Sequence, residues 1–361
     1  MAKTYNFTAS HLHAVSRQIF MAAGAPRRIA DCVAGVLVNA NLAGHDSHGV
    51  LRIPQYLGWI ADGSLLPAAE PKVVKESPNS LRVDGGQGFG HYAALQTVHR
   101  AIEKAKTGNV ACANLVHMSH IGRLGEYAEA AAQADCVGII TCGVGLGCTT
   151  PTRVVPFGGA VGKLDTNAIA IGAPTGGEAP FIADFATSVV AEGKVRVALS
   201  KNLDLAEGCI LDKHGNATVK PADFFDGGWL LPLGGHKGYA LSLITCLLGG
   251  LSPDIDLGVD GMSGAFMQVV NIRAFTPLES YRRGVRAFLD GMRGTPPAPG
   301  FDEVMVPGDL AHRRRTERLT HGIELPETTY RHIQEAGEQL NISLSEVDVE
   351  ACDAQRYQAV S

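Results

Sequence analysis

The chain has 361 residues, 45% hydrophobic and 19% charged, with a formal net charge of −5 at pH 7. That length supports a sizeable core and two or three domains, while the weak acidity leaves no basic stripe for a nucleic-acid backbone. The eight cysteines, at 32, 112, 136, 142, 148, 209, 246 and 352, form no C-x-x-C pair, so reduced thiols and no structural zinc are expected.

The opening MAKTYNFTASHLHAV has no basic run followed by an apolar one, which predicts no secretory signal and a cytoplasmic protein. In ASHLHAVSRQIFMAAGAP, Leu12, Val15, Ile19 and Phe20 recur near helical spacing. Ser10 is the expected N-cap, and Gly24 followed by Pro26 the stop. A second helix is expected over 31–42 and a third over 47–61, ended by Gly63 and Pro67. Residues 1–70 therefore read as a small helical domain. The middle, 71–310, reads as mixed α and β. Strands are expected over 80–86, 111–118, 137–145, 166–174, 180–187 and 266–275, and helices over 96–110, 124–136, 236–250 and 278–294. The stretch YALSLITCLLGGLS (239–252) is too short to span a bilayer and reads as a buried helix, so no membrane role is expected. From Ala311 to residue 361 the tail is charged and helical.

GHDSHGVLR, residues 44–52, concentrates His45, Asp46, Ser47, His48 and Arg52 where the third helix begins. Asp46 or Ser47 can cap that helix, Asp46 being the favoured one. His48 then falls in its first turn, and Arg52, four residues on, shares its face. A neighbouring cation and a helix N-terminus both favour a neutral imidazole. Arg can grip a carboxylate with two parallel hydrogen bonds, so a His–Arg pair suits proton transfer on a small oxo or hydroxy acid. A plain capped helix start is the alternative. In HMSHIGRLGEYAE (117–129), His117 and His120 follow a strand, a position that favours function. One could line the same pocket, or His117 could be structural. No acidic third ligand stands at metal-binding distance.

The glycines of VGIITCGVGLGCTTP (137–151) are spaced G-x-G-x-G and are followed by TTPTRVVP. A dinucleotide turn needs G-x-G-x-x-G and an immediate helix, so a Rossmann fold is excluded. GGQGFGH (85–91) fails the spacing too, and no P-loop or nucleophile elbow is present. Asp184, ending an apolar strand, could be a ribose ligand or a cap. His236 and Lys237, opening a helix after two glycines, could hold an anion or simply start the helix. The arginines of VPGDLAHRRR (306–315) suit a solvated face.

Six stretches in this order, AGHDSHGVLRIPQY (43–56), HMSHIGRLGEYAE (117–129), KLDTNAIAIGAPT (163–175), ADFATSVVAEGKV (183–195), GGHKGYALSLI (234–244) and VPGDLAHRRRTER (306–318), resemble the malate/L-lactate dehydrogenase type 2 family. AGHDSHG with SHIGR is most similar to its bacterial hydroxycarboxylate dehydrogenase branch. The resemblance implies an α+β fold with an N-terminal helical domain, a central non-Rossmann nicotinamide-binding domain on a mixed or antiparallel sheet, and C-terminal helices. It implies hydride transfer between NAD or NADP and C2 of a 2-oxo or 2-hydroxy acid, in a homodimer. By the same resemblance His48 is the proton donor and acceptor, Arg52 the carboxylate clamp, and His120 a second histidine near the substrate. Cofactor contacts fall on Thr166, Asn167, Ile182, Asp184, Ala186, Thr187, Ser188, His236, Lys237, Gly308 and Asp309. The family often reads T-N-P where this chain has Thr166-Asn167-Ala168, which predicts a looser turn there. Rival readings are a cyclic-imine carboxylate reductase on the same fold, a metal-dependent hydrolase or lyase using His45, His48, His117 and His120, and a small-acid binding protein without turnover.

Overall fold

A computed structural model describes residues 3–144, 146, 152–251, 263–344, 347–350 and 356–357. The chain opens on β1 (Thr4–Phe7), then α1 (Ala9–Ala22) and α2 (Arg27–Leu42). Ser10 lies inside α1 rather than capping it. Thr8 is the cap, its hydroxyl accepting from the His11 N–H at 3.1 Å. Past Ala43 the chain makes two 3₁₀ turns, Asp46–His48 and Val50–Arg52, before α3 (Ile53–Ala61). The continuous helix expected over 47–61 is thus broken at Gly49, which is extended (φ −89°, ψ −156°). Val15, Ile19, Phe20, Ile29, Val33, Leu37, Ile53 and Tyr56 are all sealed in one core between these helices.

Next come β2 (Lys72–Glu76), β3 (Ser80–Gly88), α4 (Gly90–Gly108), β4 (Val110–Met118), α5 (Gly125–Gln133), β5 (Cys136–Val144), β6 (Ile169–Ala173) and β7 (Phe181–Phe185). After α6 (Glu192–Ser200), a small sheet forms from β8 (Ile210–Leu211), β9 (Ala217–Thr218) and β10 (Trp229–Leu230), with α7 (Pro221–Phe225) between the last two. α8 (His236–Gly249), β11 (Ser263–Asn271) and α9 (Leu278–Arg293) follow, then α10 (Asp309–His321), β12 (Ile323–Pro326) and α11 (Glu327–Glu338). The main sheet has seven strands in the order β2-β3-β4-β11-β5-β6-β7. Among the described strands of this sheet only β3 and β4 run parallel, joined across α4; every other neighbouring pair is antiparallel. A doubly wound nucleotide fold needs a mostly parallel sheet, so this is the mixed, non-Rossmann domain expected.

β11 runs through the middle of that sheet, and its alternate residues Ala265, Met267 and Val269 are fully buried in a core shared with α4 and α5. Ala128 and Ala131 let α5 sit close on that face. α8 packs on the other face. Asn114, between inward-facing Ala113 and Leu115 on β4, donates instead to the Gly249 carbonyl at 3.2 Å. α8 is not the wholly buried helix its apolarity predicts: Leu243, Ile244 and Leu247 are 38%, 47% and 60% exposed. The tail folds back on the start of the chain. β12 pairs antiparallel with β1, and Ile323, Leu325, Ile333 and Leu344 enter the core of α1–α3.

Candidate active site

The loop from Gly44 to Arg52 is built by ties from elsewhere in the chain. Asn41, sealed at the end of α2, accepts from the Val50 N–H at 2.9 Å through Oδ1 and donates to Asp46 Oδ1 at 2.6 Å through Nδ2. Arg318, from α10, grips both Asp46 oxygens at 2.7 and 3.0 Å and also donates to the Asn41 carbonyl. Asp46 therefore does not cap a helix. Its carboxylate is the anchor that holds the loop to α2 and α10, a bidentate geometry that Arg favours. A Cβ on Gly49 would stand 2.2 Å from Asn41 Oδ1, so the S-H-G turn closes only on glycine.

This loop presents His48 and Arg52 side by side, although not on one helix face. The Ser47 hydroxyl lies 3.1 Å from His48 Nδ1, which leaves Nε2 to meet a ligand. Arg52 Nε donates to the Ser47 carbonyl at 2.6 Å and Nη1 to Gln55 at 2.7 Å, so the guanidinium is aimed but still half open. His120, in the segment between β4 and α5, stacks on His48 with ring centroids 5.5 Å apart and planes 14° from parallel. The expected pair His48 and His120 is thus brought together. His117 is not in this cluster: its Nδ1 lies 2.9 Å from Asp84 Oδ2 at the ends of β4 and β3. Among the described residues, no three His, Cys, Asp or Glu side chains are arranged to hold a metal ion.

Behind the two rings stand residues to which the sequence reading gave no role. Tyr56, in α3, and His91, in the first turn of α4, are both fully buried. The Tyr56 hydroxyl is 2.7 Å from His120 Nδ1 and 3.4 Å from His91 Nε2. Tyr56 sits in an apolar helix, which hides it in the sequence, although its spacing of four from Arg52 is a usable signal. Arg123, 6% exposed and three residues past His120, is a buried cation with Glu129 at 3.4 Å.

The cluster favours neutral imidazoles. Burial, then the charge of Arg52, then His45 and Arg123, push His48 down to about 4. Burial and Arg123 push His45 down to about 4 as well. His91 is lowered to about 3 by burial, with His48 and Arg52 adding to it. His120 is held well below the ordinary range by burial and by the rings beside it. No helix dipole is needed for this, since the loop is not an α-helix start.

The expected cofactor residues converge around the end of β7. Ile182 N–H donates to the Pro307 carbonyl at 3.3 Å, next to Gly308, which has φ +106°. Thr187 donates to the Thr166 carbonyl through N–H at 2.8 Å and Oγ1 at 3.1 Å. Leu233 N–H donates to the Thr187 carbonyl at 2.8 Å, and Ser188 bridges to Pro232, just before α8. Ala186 lies in the same turn. Asp184 accepts from the Gly125 N–H at 2.7 Å, so it caps α5, and burial raises its pKa. The turn at Asn167 is firmly held even without proline. Its amide accepts from the Val144 N–H at 3.1 Å and donates to Ser242 Oγ at 2.8 Å. Asp309 is held by Arg293 at 3.0 and 2.8 Å, on the border of an open hollow of about 400 Å³ that Arg286 and Arg313 also line. His236 and Lys237 are exposed at the start of α8, where Gly235 supplies no side-chain cap. Gly143 belongs to β5 and packs against α8, and residues 145 and 147 of that glycine loop lie outside the described residues.

The chain matches the sequence model of malate/L-lactate dehydrogenases over residues 7–334. L-sulfolactate dehydrogenase of Methanocaldococcus jannaschii is 33% identical over 332 residues, covering 90% of this chain and 94% of that one. Hydroxycarboxylate dehydrogenase B of Escherichia coli strain K12 is 31% identical over 353 residues, covering 95% and 96%. The solved malate dehydrogenase of Entamoeba histolytica superposes with a TM-score of 0.87 at 25% identity, over 94% of this chain and 99% of that one.

Proposed function

Since this chain belongs to the malate/L-lactate dehydrogenase family, we propose that it interconverts a small 2-oxo acid and its 2-hydroxy acid with NAD or NADP. The observation that carries this is the pairing in one loop of a neutral imidazole, tethered at Nδ1, with a half-open guanidinium. Arg52 holds the substrate carboxylate through the guanidinium N–H groups that Ser47 and Gln55 leave unused. In the oxidation direction His48, neutral at rest, accepts the hydroxyl proton at Nε2. In the reduction direction the bound carboxylate offsets the charge of Arg52, the largest lowering influence on His48 after burial. The ring then becomes a stronger base and takes up the proton it delivers to the C2 oxygen.

The nicotinamide cofactor, when bound, supplies or takes up the hydride at C2. The start of α8, where N–H groups without a side-chain cap lie beside exposed Lys237, would hold the cofactor's phosphates. Thr166, Asn167, Ala186, Thr187, Ser188 and His236 would line that place, with Ile182 and Asp184 farther back on β7. Asp309, next to Gly308, borders a hollow that would suit the far end of a dinucleotide. The working unit is a homodimer, supported by the exposed apolar face of α8.

A panel of 2-oxo acids and cyclic imino acids, assayed with NADH and with NADPH for loss of the reduced-nicotinamide band, tests this reading. Turnover of at least one oxo acid is the expected result. Oxidation of neither cofactor by any oxo acid would overturn it. Imino-acid turnover alone would move the substrate class to the cyclic imines.

A further inference from the structure

Tyr56 and His91 have no part in the reaction as described, yet they are the fully buried polar neighbours of His120. Their hydrogen-bonding capacities close in one way. The Tyr56 hydroxyl has a single proton, which burial keeps in place by raising the phenol's pKa. That hydroxyl meets His120 Nδ1 at 2.7 Å and His91 Nε2 at 3.4 Å. His91 Nδ1 is buried and has no hydrogen-bond partner among the described residues. A proton there would leave a buried N–H unpaired. A proton on Nε2 leaves only a lone pair unmet, which folded proteins tolerate better. His91 therefore donates through Nε2 to the Tyr56 oxygen, and Tyr56 donates to His120 Nδ1. A neutral His120 that accepts at Nδ1 carries its own proton on Nε2.

We infer that Tyr56, oriented by His91, is a positioning residue that fixes His120 in the Nε2–H tautomer, so that His120 donates a hydrogen bond to the substrate's C2 oxygen while His48 alone moves the proton. Each of the two stacked rings is then anchored at Nδ1, by Ser47 or by Tyr56, and presents Nε2. The backbone reinforces the arrangement. The Gly90 N–H donates to Ser119 Oγ at 2.9 Å, and a Cβ on Gly90 would stand 2.2 Å from the Ser119 carbonyl and 2.6 Å from that of His120. The first turn of α4, with His91, is thereby pressed directly against the segment that carries His120. A donor fixed before the reaction stabilises negative charge on the C2 oxygen as it develops.

The kinetic half of this inference rests on the oxo-acid reading above; the tautomer half does not. Nitrogen NMR of the intact protein, labelled at histidine, reads the protonation of each ring nitrogen without substrate. The wild type is expected to show His120 protonated on Nε2 and bare on Nδ1, and Tyr56→Phe to shift it toward a tautomer mixture. The same variant should lower kcat about tenfold, the worth of one buried hydrogen bond, with KM for oxo acid and cofactor changed less than about threefold. His120→Gln, whose amide N–H replaces the Nε2 donor, should keep at least about tenfold more rate than His120→Asn, whose amide lies nearer the Nδ1 position. A wild-type His120 protonated on Nδ1 overturns the inference, as does a Tyr56→Phe protein with unchanged tautomer and kcat. Should Tyr56→Phe fail to fold, the wild-type spectrum decides. Should no oxo acid turn over, that spectrum still decides, which separates this failure from failure of the proposed reaction.

Discussion

His48 is a base kept neutral by its surroundings, and that sets how it responds to mutation and to pH. As the proposed proton donor and acceptor, it contributes roughly 10²–10⁴-fold to the chemical step. His48→Asn should lower kcat by that order, while fluorescence titration shows the reduced cofactor still bound. A near wild-type kcat would remove His48 from the reaction. With its folded pKa depressed to about 4, the free enzyme carries no proton on His48 near neutrality. The kcat/KM for oxo-acid reduction should therefore fall about tenfold per unit as pH rises from about 6 to 8, while that for hydroxy-acid oxidation stays flat. A shared bell centred near pH 7 would contradict the assignment. As the proposed carboxylate clamp, Arg52 would act by shape as well as charge, since an ammonium cannot reproduce its fork. Arg52→Lys should raise KM for the oxo acid at least about tenfold and leave the cofactor KM nearly unchanged. Equal weakening of both would place Arg52 at the cofactor or in the fold.

At the scale of elements, the decisive piece is the loop between α2 and α3. Local preferences in DSHGVLR suggest a helix start, but Asn41 and Arg318 hold the chain in two 3₁₀ turns instead. Tertiary hydrogen bonds outweigh a helical propensity worth less than about 1 kcal/mol per residue. Gly49→Ala should displace Asn41, cost about 1–3 kcal/mol in urea unfolding, and lower kcat because both His48 and Arg52 move. Gly58→Ala, in α3, meets nothing within 4 Å and serves as the control, with stability unchanged or slightly raised. Equal midpoints for the two variants would show that the loop adapts to a side chain. α4 and α5 illustrate the converse case. Their helical periods were plain in the sequence, but the early start of α4 at Gly90 was not, because the packing of that glycine on Ser119 and His120 joins segments 29 residues apart.

Across the whole molecule, the helical unit and the sheet meet at the site, and each contributes part of it: His48, Arg52 and Tyr56 from one, His91 and His120 from the other. The sheet domain also turns an apolar face outward along α8. If the proposed dimer forms through this face, Leu247→Glu, at the most exposed apolar position of that helix, should yield monomers in sedimentation while circular dichroism is retained. A monomeric wild type, or a dimer unaffected by the charge, would show that this face is not the contact. The sequence by itself determined the helical start, the alternation of helix and strand that follows and the absence of a Rossmann turn, and it nominated His48, Arg52 and His120 as candidates, because periodicity and short motifs are local properties of the chain. It also marked Asp184 and Lys237 as groups worth placing, without deciding their partners. Only the tertiary structure decided that Asp46 is an anchor for Arg318, that the tail completes the first core through β12, that α8 has a bare face, and that Tyr56 and His91 stand behind His120. Those facts depend on contacts between residues far apart in sequence, 272 positions between Asp46 and Arg318 and more between β1 and β12, and the character of a buried hydroxyl or imidazole is set by which partner the fold brings to it.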